Sequence, residues 1–151
     1  MTALIRVAGE QDAESIAGIY APAVTDSSTS FELTPPNAEE MRRRILAVLP
    51  QHPWLVCESS GAVLGYVYAT THMERAAYRW SVDVSAYIRH DAHRRGIARA
   101  LYTALFEILV IQGYRNAYAG ATPEPIAFST LVTSRGVKAA LARAEGLLRL
   151  R

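Results

Sequence analysis

The apolar positions change period several times along the chain, and each change marks an element. Residues 3–8 read as a short strand. Ile16, Ile19, Tyr20 and Val24 then recur at helical spacing, and Asp12 stands where a carboxylate can cap the exposed N–H groups of that helix. A polar loop rich in Ser, Thr and Pro occupies 26–36. Asn37 caps a second helix with Met41, Ile45, Leu46 and Leu49 as its apolar stripe, and Pro50 and Pro53 stop it. Residues 54–58 and 63–71 read as strands joined by the tight turn Ser59-Ser60-Gly61, a hairpin. After a loop at 72–75, residues 78–88 alternate as a long third strand. A helix over 94–112 ends at Gly113 in the manner of a C′ glycine, and 114–120 forms another strand. Beyond a turn at Thr122-Pro123-Glu124-Pro125, the pattern gives a short strand over 126–132 and a modest helix over 137–150.

This order predicts a mixed sheet with helices on both faces, an α/β (α+β) fold. With no internal repeat or linker, residues 1–151 read as a single domain. Composition fits: half of the 151 residues are hydrophobic and the net charge is only +2, too little to imply nucleic acid. No apolar run reaches the ~18 residues of a transmembrane helix, and residues 1–9 lack the apolar core of a signal peptide, so the cytoplasm is the expected location. The one cysteine, Cys57, lies in an apolar run and reads as a buried hydrophobe; no Cys/His spacing suggests a metal. Trp54 and Trp80 are expected in the core, and His72 and His90 on the surface.

The candidate chemistry lies where the third strand ends. In Tyr87-Ile88-Arg89-His90-Asp91-Ala92-His93-Arg94-Arg95-Gly96-Ile97-Ala98-Arg99, an apolar strand gives way to a basic loop with one glycine, and a helix follows. Such a turn aims backbone N–H groups at one point, where an anion can sit. Gly96 lets a ligand approach the backbone closely, and Arg94, Arg95 and Arg99 add full charges. The plainer alternative is a basic surface loop. Neither a Walker loop nor a Rossmann fingerprint is present.

The loop resembles the coenzyme A loop of the GNAT superfamily of N-acetyltransferases, whose pattern is [Q/R]-x-x-G-x-[G/A]. Gly96 and Ala98 match it, and His93 stands in the first position in place of Gln or Arg. Ile5-Arg6, Asp12, Ile16, Ile19-Tyr20, Ser30-Phe31-Glu32, Gly65-Tyr66-Val67-Tyr68-Ala69, Arg75 to Asp83 and Ala86-Tyr87-Ile88 extend the resemblance to the phosphinothricin acetyltransferase family over residues 3–120. The resemblance implies acetyl-CoA as co-substrate, no metal, and a small amino acid acceptor of the phosphinothricin, methionine sulfone or methionine sulfoximine type. It implies neither nucleic acid nor membrane as a partner, and the family tends to form homodimers. Tyr87, Ile88, His93, Arg94, Arg95, Gly96, Ile97, Ala98 and Arg99 are then the cofactor-binding residues, with the Ile88 N–H as donor to the thioester oxygen. Phe31, Glu32, Arg75 and Tyr78 are the acceptor-binding candidates. For Phe31 and Tyr78 packing is the alternative, and for Arg75 a solvated loop charge.

The family motif Trp-Thr-Val-Glu reads Trp80-Ser81-Val82-Asp83 here. The resemblance makes Asp83 the catalytic base, shorter by one methylene and set back by ~1.5 Å, a gap that an ordered water can bridge. The alternative is a carboxylate that satisfies backbone groups at a strand splay. After Gly120 the resemblance stops. The family's Leu-Pro-Asn turn, its downstream histidine and its closing strands have no counterpart, so 121–151 read as a divergent tail. A second function is therefore carried beside the transferase: an acyl-CoA-binding protein of the same fold with weak or no transfer. A third is a binding module that uses the basic loop.

Overall fold

The computed structural model describes residues 2–26, 30 and 32–119. Along them run Leu4–Val7 (β1), Ala13–Thr25 (α1), Ala38–Val48 (α2), Trp54–Ser59 (β2), Ala62–Thr71 (β3), Ser81–Ile88 (β4), Ile97–Ile111 (α3) and Asn116–Tyr118 (β5). The strands form one sheet in sequence order, antiparallel from β1 to β4 and parallel between β4 and β5. The expected mixed sheet is present. Phe31 and the elements expected over 121–151 lie outside the described residues.

Alternation along the strands creates two cores. On β4, Val82, Val84 and Ala86 are buried with Leu55, Val67, Ile97, Leu101, Leu105 and Leu109, so α3 covers this face. On the other face Trp54, Val56 and Tyr66 pack against Ile16, Tyr20, Met41 and Ile45 of α1 and α2. Residues Asp83, Ser85 and Tyr87 alternate with the buried set and turn toward that second face. The Asn37 cap is present, with its side chain accepting from the Glu40 N–H at 2.9 Å. Gly113 ends α3 with φ +91°. Cys57 and Trp54 are buried as expected.

Several sequence-based expectations are corrected. Asp12 makes no side-chain cap on α1; its carboxylate is used by Arg6 and the Gly9 N–H, at 2.8 Å each. Leu46 is exposed, because Met41 and Ile45 fill the α2 contact. The third strand starts at Ser81, not at 78, since Ala76–Tyr78 closes a 3₁₀ turn. Trp80 therefore sits before the strand and is 47% exposed, with the Arg79 guanidinium 5.1 Å from its ring. Helix α3 begins at Ile97, not at 94, because Arg94 and Gly96 both take left-handed backbone.

His52 is buried between the β3 end and the approach to β5. Its Nε2 lies 3.1 Å from the Thr71 hydroxyl and its Nδ1 3.3 Å from that of Tyr114. Burial holds its pKa below the ordinary imidazole value. Between the folded value and the unfolded value near ~6.5, the unfolded chain binds more protons, so stability contributed by neutral His52 falls as pH drops through that window. Urea unfolding at pH 7.5 and pH 5 is expected to give a smaller loss in His52→Gln than in wild type. Equal losses would show that His52 does not contribute.

Candidate functional site

Among the described residues, the parallel ladder between β4 and β5 pairs Ser81 with Asn116, Val82 with Ala117 and Asp83 with Tyr118 and goes no further, while β4 runs on to Ile88. The Arg89 N–H donates to the Leu64 carbonyl across the β3 side. Alternation then turns the N–H groups of Ala86 and Ile88 to the opposite side, where no described strand pairs with them. A slot lined by unpaired backbone can accept an extended amide-bearing ligand as a substitute strand. Gly65 pairs with Ile88 across β3, and a Cβ there would stand 2.5 Å from Ile88 Cδ1 and 3.0 Å from the Tyr87 carbonyl oxygen. The glycine lets β4 lie close to β3 at the residues that border the slot.

The slot leads into the basic loop. The His93 Nε2–H donates to the Ile88 carbonyl at 3.0 Å, which folds the loop back over the strand end. Arg94 and Gly96 then take φ +62° and +76° immediately before α3. Left-handed backbone in a non-glycine residue is strained, and alternating turns of this kind converge successive N–H groups on one point. The helix N-terminus adds partial positive charge. Arg89 is tied to Asp91 at 2.6 Å, whereas Arg94, Arg95 and Arg99 have no ion-pair partner among the described residues. His93, Arg94, Arg95, Gly96 and Arg99 are exposed, while Ile97 is buried and anchors the helix. Of the expected cofactor-binding residues, His93, Arg94, Arg95, Gly96 and Arg99 thus lie exposed on one loop, whereas Ile97 packs into the core.

Asp83 lies where the ladder ends. Its Oδ1 is 2.7 Å from His72 Nδ1. The expectation of a surface His72 is corrected: its side chain is only 19% exposed. The imidazole stacks on Tyr118 at 4.4 Å between centroids and meets the edge-on ring of Tyr78 at 5.6 Å. The reason is register. His72 follows the β3 strand on the same face as Thr70, the direct partner of Asp83, so the two side chains are diagonal neighbours. No one-dimensional spacing announces this pair.

Toward the α1 and α2 face, Trp54, Tyr66, Tyr68 and Tyr87 form a stacked wall, with Tyr20 edge-on to Tyr87 at 5.0 Å. The Tyr20 hydroxyl bonds Ser30 and Glu32, and Arg44 pairs with Glu32. That guanidinium holds the Glu32 carboxyl below its usual range, and burial pushes the Tyr87 phenol up. Glu32 thus fastens its segment to α1 and α2. Arg75 and Tyr78 are exposed on the turn before β4. Tyr20, Arg44, Tyr68, His72 and Tyr118 pack around the candidates without themselves being expected as site residues. The common parity of Tyr66, Tyr68 and Tyr87 on paired strands was the available signal for the wall.

The family model described as acetyltransferase (GNAT) domain matches residues 5–132, and the chain belongs to that family. Phosphinothricin N-acetyltransferase of Alcaligenes faecalis is 42% identical over 102 residues, which cover 67% of this chain and 52% of that protein. The L-methionine sulfoximine/L-methionine sulfone acetyltransferase of Pseudomonas paraeruginosa is 32% identical over 115 residues, 75% of this chain and 67% of that one. A phosphinothricin acetyltransferase from Sinorhizobium meliloti, solved in complex with AcCoA, superposes with a TM-score of 0.74 at 36% identity, covering 79% of this chain and 65% of that structure. The chain spans 52% and 63% of the length of two phosphinothricin N-acetyltransferases that it matches, those of Alcaligenes faecalis and Streptomyces viridochromogenes. No described helix is long and apolar enough to cross a membrane.

Proposed function

We propose that this domain transfers the acetyl group of acetyl-CoA to the primary amine of a small amino acid of the phosphinothricin, methionine sulfone or methionine sulfoximine type. The observation that carries the reading is the β4 edge, unpaired among the described residues, between Asp83 and the left-handed turn at Arg94 and Gly96. The residues present fit the co-substrate. Backbone N–H groups of Ala86 and Ile88 suit the amides and carbonyl of a pantetheine arm, and the turn with Arg94, Arg95 and Arg99 suits the diphosphate. The names of the relatives support the acceptor class.

In the reaction the neutral amine attacks the thioester carbonyl carbon, the C–S bond breaks, and the amine's proton ends on the thiolate sulfur. A backbone N–H polarises the oxygen as charge develops on it. Ala86 lies three residues from Asp83, ~10 Å along the strand, and Ile88 five residues, ~17 Å. The Ala86 N–H is thus nearer to Asp83 than the Ile88 N–H expected from the resemblance, so we place the oxygen's donor at Ala86 and give Ile88 the arm beyond it. Proton removal depends on Asp83. Arg75 and Tyr78 take the acceptor's anionic and apolar parts, because a guanidinium pairs bidentately with carboxylate or phosphinate. Glu32 and Arg44 keep the opposite wall in place.

Thiol release from acetyl-CoA over a panel of amino acids tests this reading, alongside an acetyl-CoA titration by calorimetry. Saturable release with a sulfone, sulfoximine or phosphinate amino acid supports it. Binding without release from any amine leaves a CoA-binding protein and overturns the transferase. Absence of binding into the millimolar range removes both.

A further inference from the structure

We infer that the group that receives the acceptor's proton is His72 Nε2, and that Asp83 acts through it as a positioning residue. The inference rests on the acetyl-transfer reading and deepens it. The chain has four histidines, at 52, 72, 90 and 93. His52 is buried with hydroxyls at both ring nitrogens, and His93 is bonded through Nε2 to the Ile88 carbonyl. His90 is exposed at the loop, in edge contact with His93. Among the described residues, only His72 has a carboxylate partner.

That partner fixes the tautomer. An ionised carboxylate only accepts hydrogen bonds, so Nδ1 carries the hydrogen and Nε2 keeps its lone pair. Nε2 has no hydrogen-bond partner among the described residues, and the side chain keeps 19% of its surface exposed. Stacking on Tyr118 and the edge of Tyr78 hold the ring plane. Tyr118 is also the β5 residue paired with Asp83 at the last rung before the slot opens. The imidazole therefore stands at the mouth of the slot, beside the exposed turn that carries Arg75.

Asp83 is set back by one methylene from the family's Glu, and the ring spans what the shorter side chain leaves open. As the amine attacks the carbonyl carbon, its proton passes to Nε2. The resulting imidazolium remains bonded to Asp83 through Nδ1–H. The C–S bond then breaks and the proton moves from Nε2 to the thiolate, returning neutral His72. No further reactant is needed. The titratable groups facing the ring are Asp83 from β4, Tyr118 from β5 and Tyr78 from the turn.

The test uses His72→Gln, which can still bond Asp83, and His72→Ala, which leaves room for added imidazole. Both are expected to lower kcat for thiol release by about 10²-fold, the usual contribution of a placed base. The KM for acetyl-CoA should stay within twofold. The pH profile of kcat at saturating acceptor should change in His72→Gln, and imidazole should restore part of the His72→Ala rate in a saturable way. Wild-type-like rates in either variant, an unchanged kcat profile, or loss of activity without imidazole rescue would overturn the assignment. A wild-type chain that releases no thiol with any amine would instead overturn the transferase reading itself, and the role of His72 with it.

Discussion

Asp83→Asn is expected to reduce kcat for acetyl transfer by about 10²-fold or more, with acetyl-CoA affinity within twofold of wild type. The substitution preserves shape but removes the charge, and the consequence runs through the 2.7 Å bond to His72 Nδ1. An amide can offer its oxygen to Nδ1–H, and the ring then keeps its tautomer without a negative partner for the imidazolium. It can also turn and donate its NH₂ to Nδ1, and the hydrogen is then forced onto Nε2, which can no longer accept a proton. Either way the acid–base step suffers. The backbone edge that faces the slot is untouched, because Asp83 still pairs with Thr70 and Tyr118. Turnover by thiol release and binding by calorimetry separate the two effects. Wild-type kcat in Asp83→Asn would acquit the carboxylate. A parallel collapse of acetyl-CoA binding would place it in cofactor binding.

Arg6→Met is expected to lower unfolding stability by about 3 kcal/mol at neutral pH, at the lower end for a broken buried pair, which corresponds to about 10 °C in Tm. Arg6 bonds both oxygens of Asp12 at 2.8 Å and Glu58 Oε2 at 2.7 and 2.9 Å. The Asp12 side chain is only 4% exposed, whereas Arg6 and Glu58 are 29% and 28% exposed, so Asp12 is the charge left stranded. The guanidinium holds the Asp12 carboxyl below its usual range against burial, which pushes the other way. In wild type that contribution is present above the unfolded carboxyl value of ~3.9 and is lost as pH falls through the lower folded value. Without Arg6, burial opposes ionisation and only the Gly9 N–H still favours it. The gap between wild type and variant should therefore narrow toward pH 4, and Arg6→Met/Asp12→Asn should recover part of the loss. A pH-independent gap in urea titrations would place the loss in packing of the Arg6 stem instead.

These two outcomes draw on different kinds of legibility. Local spacing offers Asp12 as a helix cap and says nothing of a role for Arg6; the antiparallel pairing of β1 with β2 brings Glu58 and Arg6 together, and Arg6 takes the Asp12 carboxylate. Trp80 was misread for a similar reason. Alternation continued past the true strand start, and the 3₁₀ turn at Ala76–Tyr78 broke it. By contrast, Asn37, Gly61 and Gly113 were read correctly, because a cap, a hairpin turn and a C′ residue are settled within a few residues of chain.

The sequence alone determined the order of strands and helices, the two-faced sheet, and the basic loop with its glycine. Each follows from periodicity or from a backbone conformation that few residues adopt. The tertiary structure decided where β4 parts from β5, which carboxylate Arg6 serves, and that His72 stands on Asp83 with Tyr118 beneath it. Those contacts join residues far apart in the chain. They depend on strand register, which no local pattern in one sequence specifies, and a shift of one residue would turn each of these side chains to the other face of the sheet.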